Sequence, residues 1–201
     1  VDDHRLGRWG AGDRTTTNNG HAGPATFDDV RRDTAIRFGP ANHAPTLSEL
    51  TVRNITAEAG CSTTGVYTYF GGKQGVVEAI FVEGFDSFDR AVADGFQHDD
   101  LLGSGRAYRA WALAHPTQYM VMFGRAVPDY EPTPEAHARS LESFFRLVAV
   151  VDQLRPGPDA AERAYHYWAT LHGYVMLELA GMGAQTPEES DALYERALSL
   201  L

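Results

Sequence analysis

The chain has 201 residues, 43% hydrophobic and 22% charged, with 17 basic against 27 acidic side chains and a net charge of −10. That composition excludes a disordered or fibrous chain and suits one small domain followed by a larger one. The longest apolar runs fall well short of the roughly 20 residues that a membrane span needs. The single cysteine, Cys61, excludes an internal disulfide and a multi-cysteine metal site. No charged-then-apolar signal opens the chain, so a cytoplasmic protein with no membrane partner is expected. The charge is unevenly divided: residues 1–75 carry 8 basic and 8 acidic side chains, residues 76–201 carry 9 and 19. A neutral first part before an acidic bulk suits a protein that meets a polyanion end-on, with a modest non-specific affinity that dimerisation would raise.

Residues 1–25 lack apolar periodicity and are rich in Gly, Thr and Asn, which predicts a disordered leader. The segment from Phe27 to Phe38 predicts a short helix capped by Thr26, and the run from Gly39 to Pro45 predicts a loop. Then comes Thr51 to Lys73, TVRNITAEAGCSTTGVYTYFGGK. Here Thr51 caps a helix that begins at Val52, with Val52, Ile55 and Ala59 on one face. The turn Gly60-Cys61-Ser62 redirects the chain. Ser62 caps a second helix in which Val66 and Phe70 point inward, while Thr63, Thr64, Gly65, Tyr67, Thr68 and Tyr69 are left for the outer face. Short hydroxyl side chains and a glycine near a helix N-terminus let that helix approach base edges, and the helix end itself favours a phosphate. An ordinary helical corner gives the same pattern; the added Tyr67-x-x-Phe70-x-x-Lys73 tail sets this one apart.

These residues resemble the TetR/AcrR family of one-component transcriptional repressors, whose DNA-binding core ends in a similar Ala-Gly-x-Ser, Tyr-x-x-Phe and Lys arrangement. The resemblance implies a double-stranded operator as partner. It also implies DNA-facing positions for Thr51, Thr63, Thr64, Gly65, Tyr67, Thr68 and Lys73, with Tyr67 and Lys73 as phosphate anchors and the start of the second helix as base reader. The chain departs from the family's pattern at Thr56, where alanine is usual, and at Cys61, where valine is common. It departs further in the first helix, which lacks the usual alanine run and Leu-Phe pair.

After Lys73, the residues Val76, Val77, Ile80, Phe81, Phe85, Phe88 and Val92 recur at spacings of three and four and predict one long helix joining two domains. In the family such a helix transmits ligand occupancy to the reading heads. Further helices are predicted over Leu101 to His115, closed by Pro116, and over Thr117 to Phe123. A Pro-rich loop runs from Gly124 to Pro134. Pro134 opens a helix from Glu135 to Asp152 with Leu141, Phe144, Phe145, Val148 and Val151 inward. A long apolar helix follows from Asp159 to Ala180, and Thr186-Pro187 caps a last one ending at Leu200. No alternating strand pattern occurs. The expected fold is all-α, with a helix-turn-helix three-helix domain over 26–75 and a helical-bundle domain for effector binding and dimerisation over 76–201. Residues 107–124 and 168–181 resemble the WHG-type C-terminal domain of one branch of TetR-like regulators, and Trp168, His172 and Gly173 match its namesake residues.

The bundle region holds Trp111, Tyr119, Met120, Met122, Phe123, Phe144, Phe145, Tyr165, Trp168, His172 and Met176. Large aromatics and flexible methionines line adaptable apolar pockets, with a few polar handles to orient a ligand. Taken singly, each is better read as core; as a group, beside the resemblance, they point to a pocket for a small apolar or aromatic effector. For His172 the favoured reading is a structural hydrogen bond that lets Gly173 pack against a neighbouring helix. The last two helices, through Tyr165, Leu171, Val175, Leu179, Leu193, Ala197 and Leu200, are expected to form a four-helix homodimer interface. Catalysis is not expected. His166 and His172 lie six apart, off the spacing of a helical metal pair, and Gly71-Gly72-Lys73 lacks the rest of a phosphate loop. Neither metal nor cofactor is implied. The expectation is a ligand-responsive DNA-binding repressor; the alternative is a helical ligand-binding or dimerisation protein that has lost DNA binding through its aberrant first helix.

Overall fold

The structure is a computed structural model that describes residues 63–96, 101–124 and 127–201. The leader, the Phe27–Phe38 helix, the first reading helix with its cap Thr51, and the turn through Ser62 lie outside the described residues. Among those described, all regular structure is helical: α1 (Thr63–Phe70), α2 (Lys73–Gly95), α3 (Leu101–Ala114), α4 (Pro116–Phe123), α5 (Pro134–Leu154), α6 (Ala160–Leu179) and α7 (Pro187–Ser199). The all-α expectation is met.

Helix boundaries follow local chemistry. Pro116 sits in the first turn of α4, where its missing N–H costs nothing, and so ends α3 just before it. Thr133 caps α5, its hydroxyl accepting from the Ala136 N–H at 3.3 Å. The cap of α7 is reciprocal: Thr186 accepts from the Glu189 N–H at 3.2 Å, and the Glu189 carboxylate accepts from the Gln185 N–H at 3.1 Å.

Helix α2 is the spine, packing against α1, α3, α4 and α5. Its buried face, Val76, Val77, Ile80, Phe81, Phe85 and Phe88, is the one its spacing predicts. At Gly84 the backbone of α2 lies directly against the Met122 side chain, so an added Cβ would have to displace that side chain. Rings continue the core outward: Phe85 meets Phe123 and Phe88 meets Tyr108 and Trp111, all edge to face with centroids 5.2–5.5 Å apart. On the far side α6 and α7 close against α3. The Tyr194 hydroxyl donates to the Gly105 carbonyl at 2.7 Å, and Arg109 bridges from α3 to Glu178 on α6 and Asp191 on α7, each at 2.7 Å.

The joint between α1 and α2 is made by glycines. Gly71 and Gly72 have φ of 68° and 120°, a region that side chains with a Cβ rarely adopt. At Gly75 an added Cβ would overlap the Phe70 carbonyl oxygen. Three small residues in five thus let α1 fold back tightly on the first turn of α2, with Phe70 buried in the shared core.

Candidate effector chamber and reading helix

Between α2, α3, α5 and α6 lies a cavity of about 550 Å³. Helix α2 contributes Phe85, Phe88, Asp89 and Val92; α5 contributes Phe144, Leu147 and Val150; α6 contributes Tyr165, Tyr167, Trp168 and Leu171; Tyr108 and Met122-Phe123 complete the wall from α3 and α4. Size and lining suit a drug-sized apolar guest.

Five of the eleven effector-site residues expected from sequence line this chamber: Met122, Phe123, Phe144, Tyr165 and Trp168. The other six stand elsewhere. Trp111 is buried behind Phe88 and stacks on His115 at 4.8 Å. Tyr119 is fully buried, and its hydroxyl lies 2.7 Å from the Tyr108 hydroxyl and 2.7 Å from Nδ1 of His172. Met120 packs beside Gly124, Met176 rests against the core, and Phe145 faces outward, 62% exposed. His172 is enclosed by the rings of Tyr119, Phe123 and Trp168. The expected structural hydrogen bond is therefore present, but not the expected consequence. A Cβ at Gly173 would meet nothing within 4 Å, so among the described residues that glycine packs against no neighbouring helix. Sequence reasoning missed Phe85, Phe88 and Val92 as pocket residues, although a linking helix this rich in large aromatics carries that signal.

The Tyr108–Tyr119–His172 chain joins α3, α4 and α6 behind the chamber wall. Burial pushes both phenols above their usual value, so both stay protonated, and Tyr119 can donate to an unprotonated Nδ1. Burial also lowers the pKa of His172. Because the folded state disfavours the imidazolium, this group's contribution to stability is complete above the unfolded histidine value of about 6.5. It is lost as pH falls through the lowered folded value. His172→Gln is accordingly expected to flatten the acid limb of a stability–pH profile measured by urea melts between pH 7.5 and 4.5, and an unchanged limb would assign that slope to other groups.

At the other end, Tyr67 on α1 is 61% exposed, and Thr64, Thr68 and Tyr69 are also exposed. Gly65 is half-buried, and Lys73 is the half-exposed first residue of α2. The Tyr67 ring lies over the turn, where a Cβ at Gly72 would come 3.4 Å from it. Of the expected interface residues, Tyr165, Leu193 and Leu200 are exposed and Leu179 is partly covered. Leu171, Val175 and Ala197 belong to the protomer's own interior, at most 5% exposed, and offer no surface to a second chain. Beside Tyr165, α6 exposes the apolar side chains of Tyr174 and Leu177. No described helix is long and apolar enough to cross a membrane.

Comparison with known proteins places this geometry. Residues 47–80 match the family model for bacterial regulatory proteins of the tetR family, and residues 101–201 match the model for the tetracyclin repressor-like C-terminal domain. The HTH-type transcriptional regulator Rv1816 of Mycobacterium tuberculosis is 24% identical over 192 residues, covering 76% of this chain and 82% of the relative. Two solved structures share the fold. A TetR family transcription regulator from Marinobacter aquaeolei VT8 superposes with a TM-score of 0.60 at 21% identity, over 86% of this chain and 95% of the other. A protein of unknown function from Rhodococcus sp. RHA1 gives 0.64 at 22%, over 92% and 98%. The class these matches define is the helix-turn-helix transcriptional regulator. The chain belongs to the TetR family of bacterial regulatory proteins.

Proposed function

We propose that this DNA-binding regulator is a homodimeric repressor that leaves a pseudo-palindromic operator when a small apolar or aromatic effector occupies the chamber. The observation that carries the reading is that one helix serves both ends. Helix α2 starts at Lys73, directly after the glycine turn that holds α1, and its later turns supply Phe85, Phe88, Asp89 and Val92 to the chamber wall. A guest that binds better to one setting of α2 than to another biases the position of α1 by that difference in affinity. In this reading residues 26–75 are the reading domain and 76–201 the sensor and dimerisation domain, with α2 continuous across the boundary.

On the reading side, Thr51, Thr63, Thr64, Gly65 and Thr68 approach base edges, while Tyr67 and Lys73 hold phosphates. On the dimer side, the exposed Leu177 of α6, Leu193 of α7 and Leu200 just past it, with Tyr165, meet their counterparts across a two-fold axis. The acidic charge of the bundle holds it off the duplex, so contact is confined to the reading heads.

The test is a pair of substitutions at exposed positions, Tyr67→Phe and Lys73→Ala. Both are expected to weaken binding by a similar factor on all DNA sequences, and Lys73→Ala to reduce the slope of log K against log salt by about one unit per site. A protein that only binds ligand has no DNA affinity to lose, and unchanged binding in both variants would reject the assigned anchors.

A further inference from the structure

The chamber's buried polar groups are almost all committed to one another. Ser104 donates to the Leu101 carbonyl and lies 2.9 Å from the Tyr167 hydroxyl. Tyr108 is bonded to Tyr119, Ser140 donates to the His137 carbonyl, and Ser143 accepts from Arg139. Tyr165, also on the wall, is largely exposed.

Asp89 is the exception. Its side chain is 10% exposed and lines the chamber. Oδ2 alone accepts both guanidinium groups, from Arg139 at 2.8 Å and from Arg146 at 2.9 Å. A carboxylate oxygen has room for two donors, and Oδ1 has none among the described residues. The two arginines are shared with Asp86 and Glu142, so two guanidinium groups face three carboxylates and the cluster around Asp89 stays net negative. An anionic guest would meet the carboxylate itself, with Arg146, 60% exposed at its side chain and already paired to Asp89 and Glu142, as its nearest counter-charge.

We infer that Asp89 Oδ1 accepts a hydrogen bond from the effector, which is a non-anionic, largely apolar molecule carrying one hydroxyl or N–H donor on an aromatic or alicyclic body. The inference rests on the chamber being the effector site, and the probes below separate the two. Phe85, Phe88, Phe144 and Trp168 supply the apolar enclosure and are indifferent to the donor; Asp89 distinguishes a phenol from its ether.

The experiment titrates the full chain with 4-phenylphenol, 4-methoxybiphenyl and biphenyl-4-carboxylate, read by calorimetry and tryptophan fluorescence. The phenol should bind at least about tenfold more tightly than the ether, and the carboxylate most weakly, as expected for one charge-assisted hydrogen bond. In Asp89→Asn, which keeps an oxygen for the arginines and turns an amide donor to the cavity, the phenol's advantage should fall below about threefold while the ether holds its affinity. Equal binding of phenol and ether to the unaltered protein overturns the role of Asp89 and leaves the chamber intact as a site. Tightest binding by the carboxylate, or a phenol preference that survives in Asp89→Asn, overturns it equally. Failure of all three probes to bind overturns the chamber itself.

Discussion

Gly75→Ala is expected to lower DNA affinity at least about tenfold while the sensor bundle stays folded. The added methyl group would overlap the Phe70 carbonyl oxygen, and the next nearest atoms, the Phe70 carbonyl carbon at 2.7 Å and Cα at 3.2 Å, are also backbone. No side-chain rotation relieves that contact. Gly71 and Gly72, with no Cβ to restrict them, are the torsions free to change, so relief comes from opening the turn and swinging α1 away from α2. Overpacking of this kind costs about 1–3 kcal/mol, and here it falls on the joint that sets α1 against α2. Far-ultraviolet melts should therefore show a bundle transition within a few degrees of the parent, beside a collapsed DNA titration. A folded Gly75→Ala protein with parental DNA affinity would show that the setting of α1 on α2 does not govern reading.

Arg109→Met is expected to have the larger effect on stability. The guanidinium is 15% exposed; it takes both oxygens of Glu178 at 2.7 Å through Nε and Nη2, reaches Asp191 at 2.7 Å through Nη1, and lies 5.3 Å over the Tyr194 ring. The Glu178 hydrogen bonds, ahead of those from Asp191, hold its pKa above the ordinary arginine value, against the opposing pull of burial. Methionine keeps much of the side-chain volume but leaves Glu178, 22% exposed, without its partner. Breaking a fully buried pair costs about 3–5 kcal/mol; with Asp191 mostly in water, about 2–4 kcal/mol is expected here. For a chain of this size that is a fall in Tm of about 5–15 °C. The double variant Arg109→Met, Glu178→Leu should recover most of the loss, because the unpaired carboxylate goes with it. A single-variant loss below about 1 kcal/mol would mean that water already screens the pair.

Much of the bundle was legible in the sequence because its punctuation is local. Pro116, Thr133-Pro134 and Thr186-Pro187 mark helix starts through missing donors and capping hydroxyls, and the structure starts α4, α5 and α7 at those prolines. The three- and four-residue spacing of Val76 to Phe88 likewise carried α2. What the residues could not reveal was which of two apolar faces a helix turns inward. Leu171 and Val175 on α6 were expected to meet a second chain, yet they fill the protomer's own core, and Leu177 and Tyr174 are left outside. The chamber suffered from the same ambiguity. Aromatic content marks residues that build a core, but a void arises only where four helices fail to close on one another, and that depends on their mutual crossing. Hence Trp111 and Tyr119 pack solidly beside the cavity, while Phe85 and Phe88, which read as ordinary inward residues of a linking helix, stand on its wall. Asp89 reads from sequence as one more solvated acid; only the position of Arg139 and Arg146 on α5 makes it a buried carboxylate with one oxygen to spare.

The most direct test of the account is to select DNA ligands for the full chain from a random duplex library, then titrate the enriched sequence at two salt concentrations with and without 4-phenylphenol while the mass of the complex is determined. Enrichment of a two-fold symmetric site is expected, bound by two copies of the chain with a steep salt dependence and released as the phenol fills the chamber. A folded protein that enriches no sequence, or one whose selected site is held equally well with the chamber filled, would contradict it.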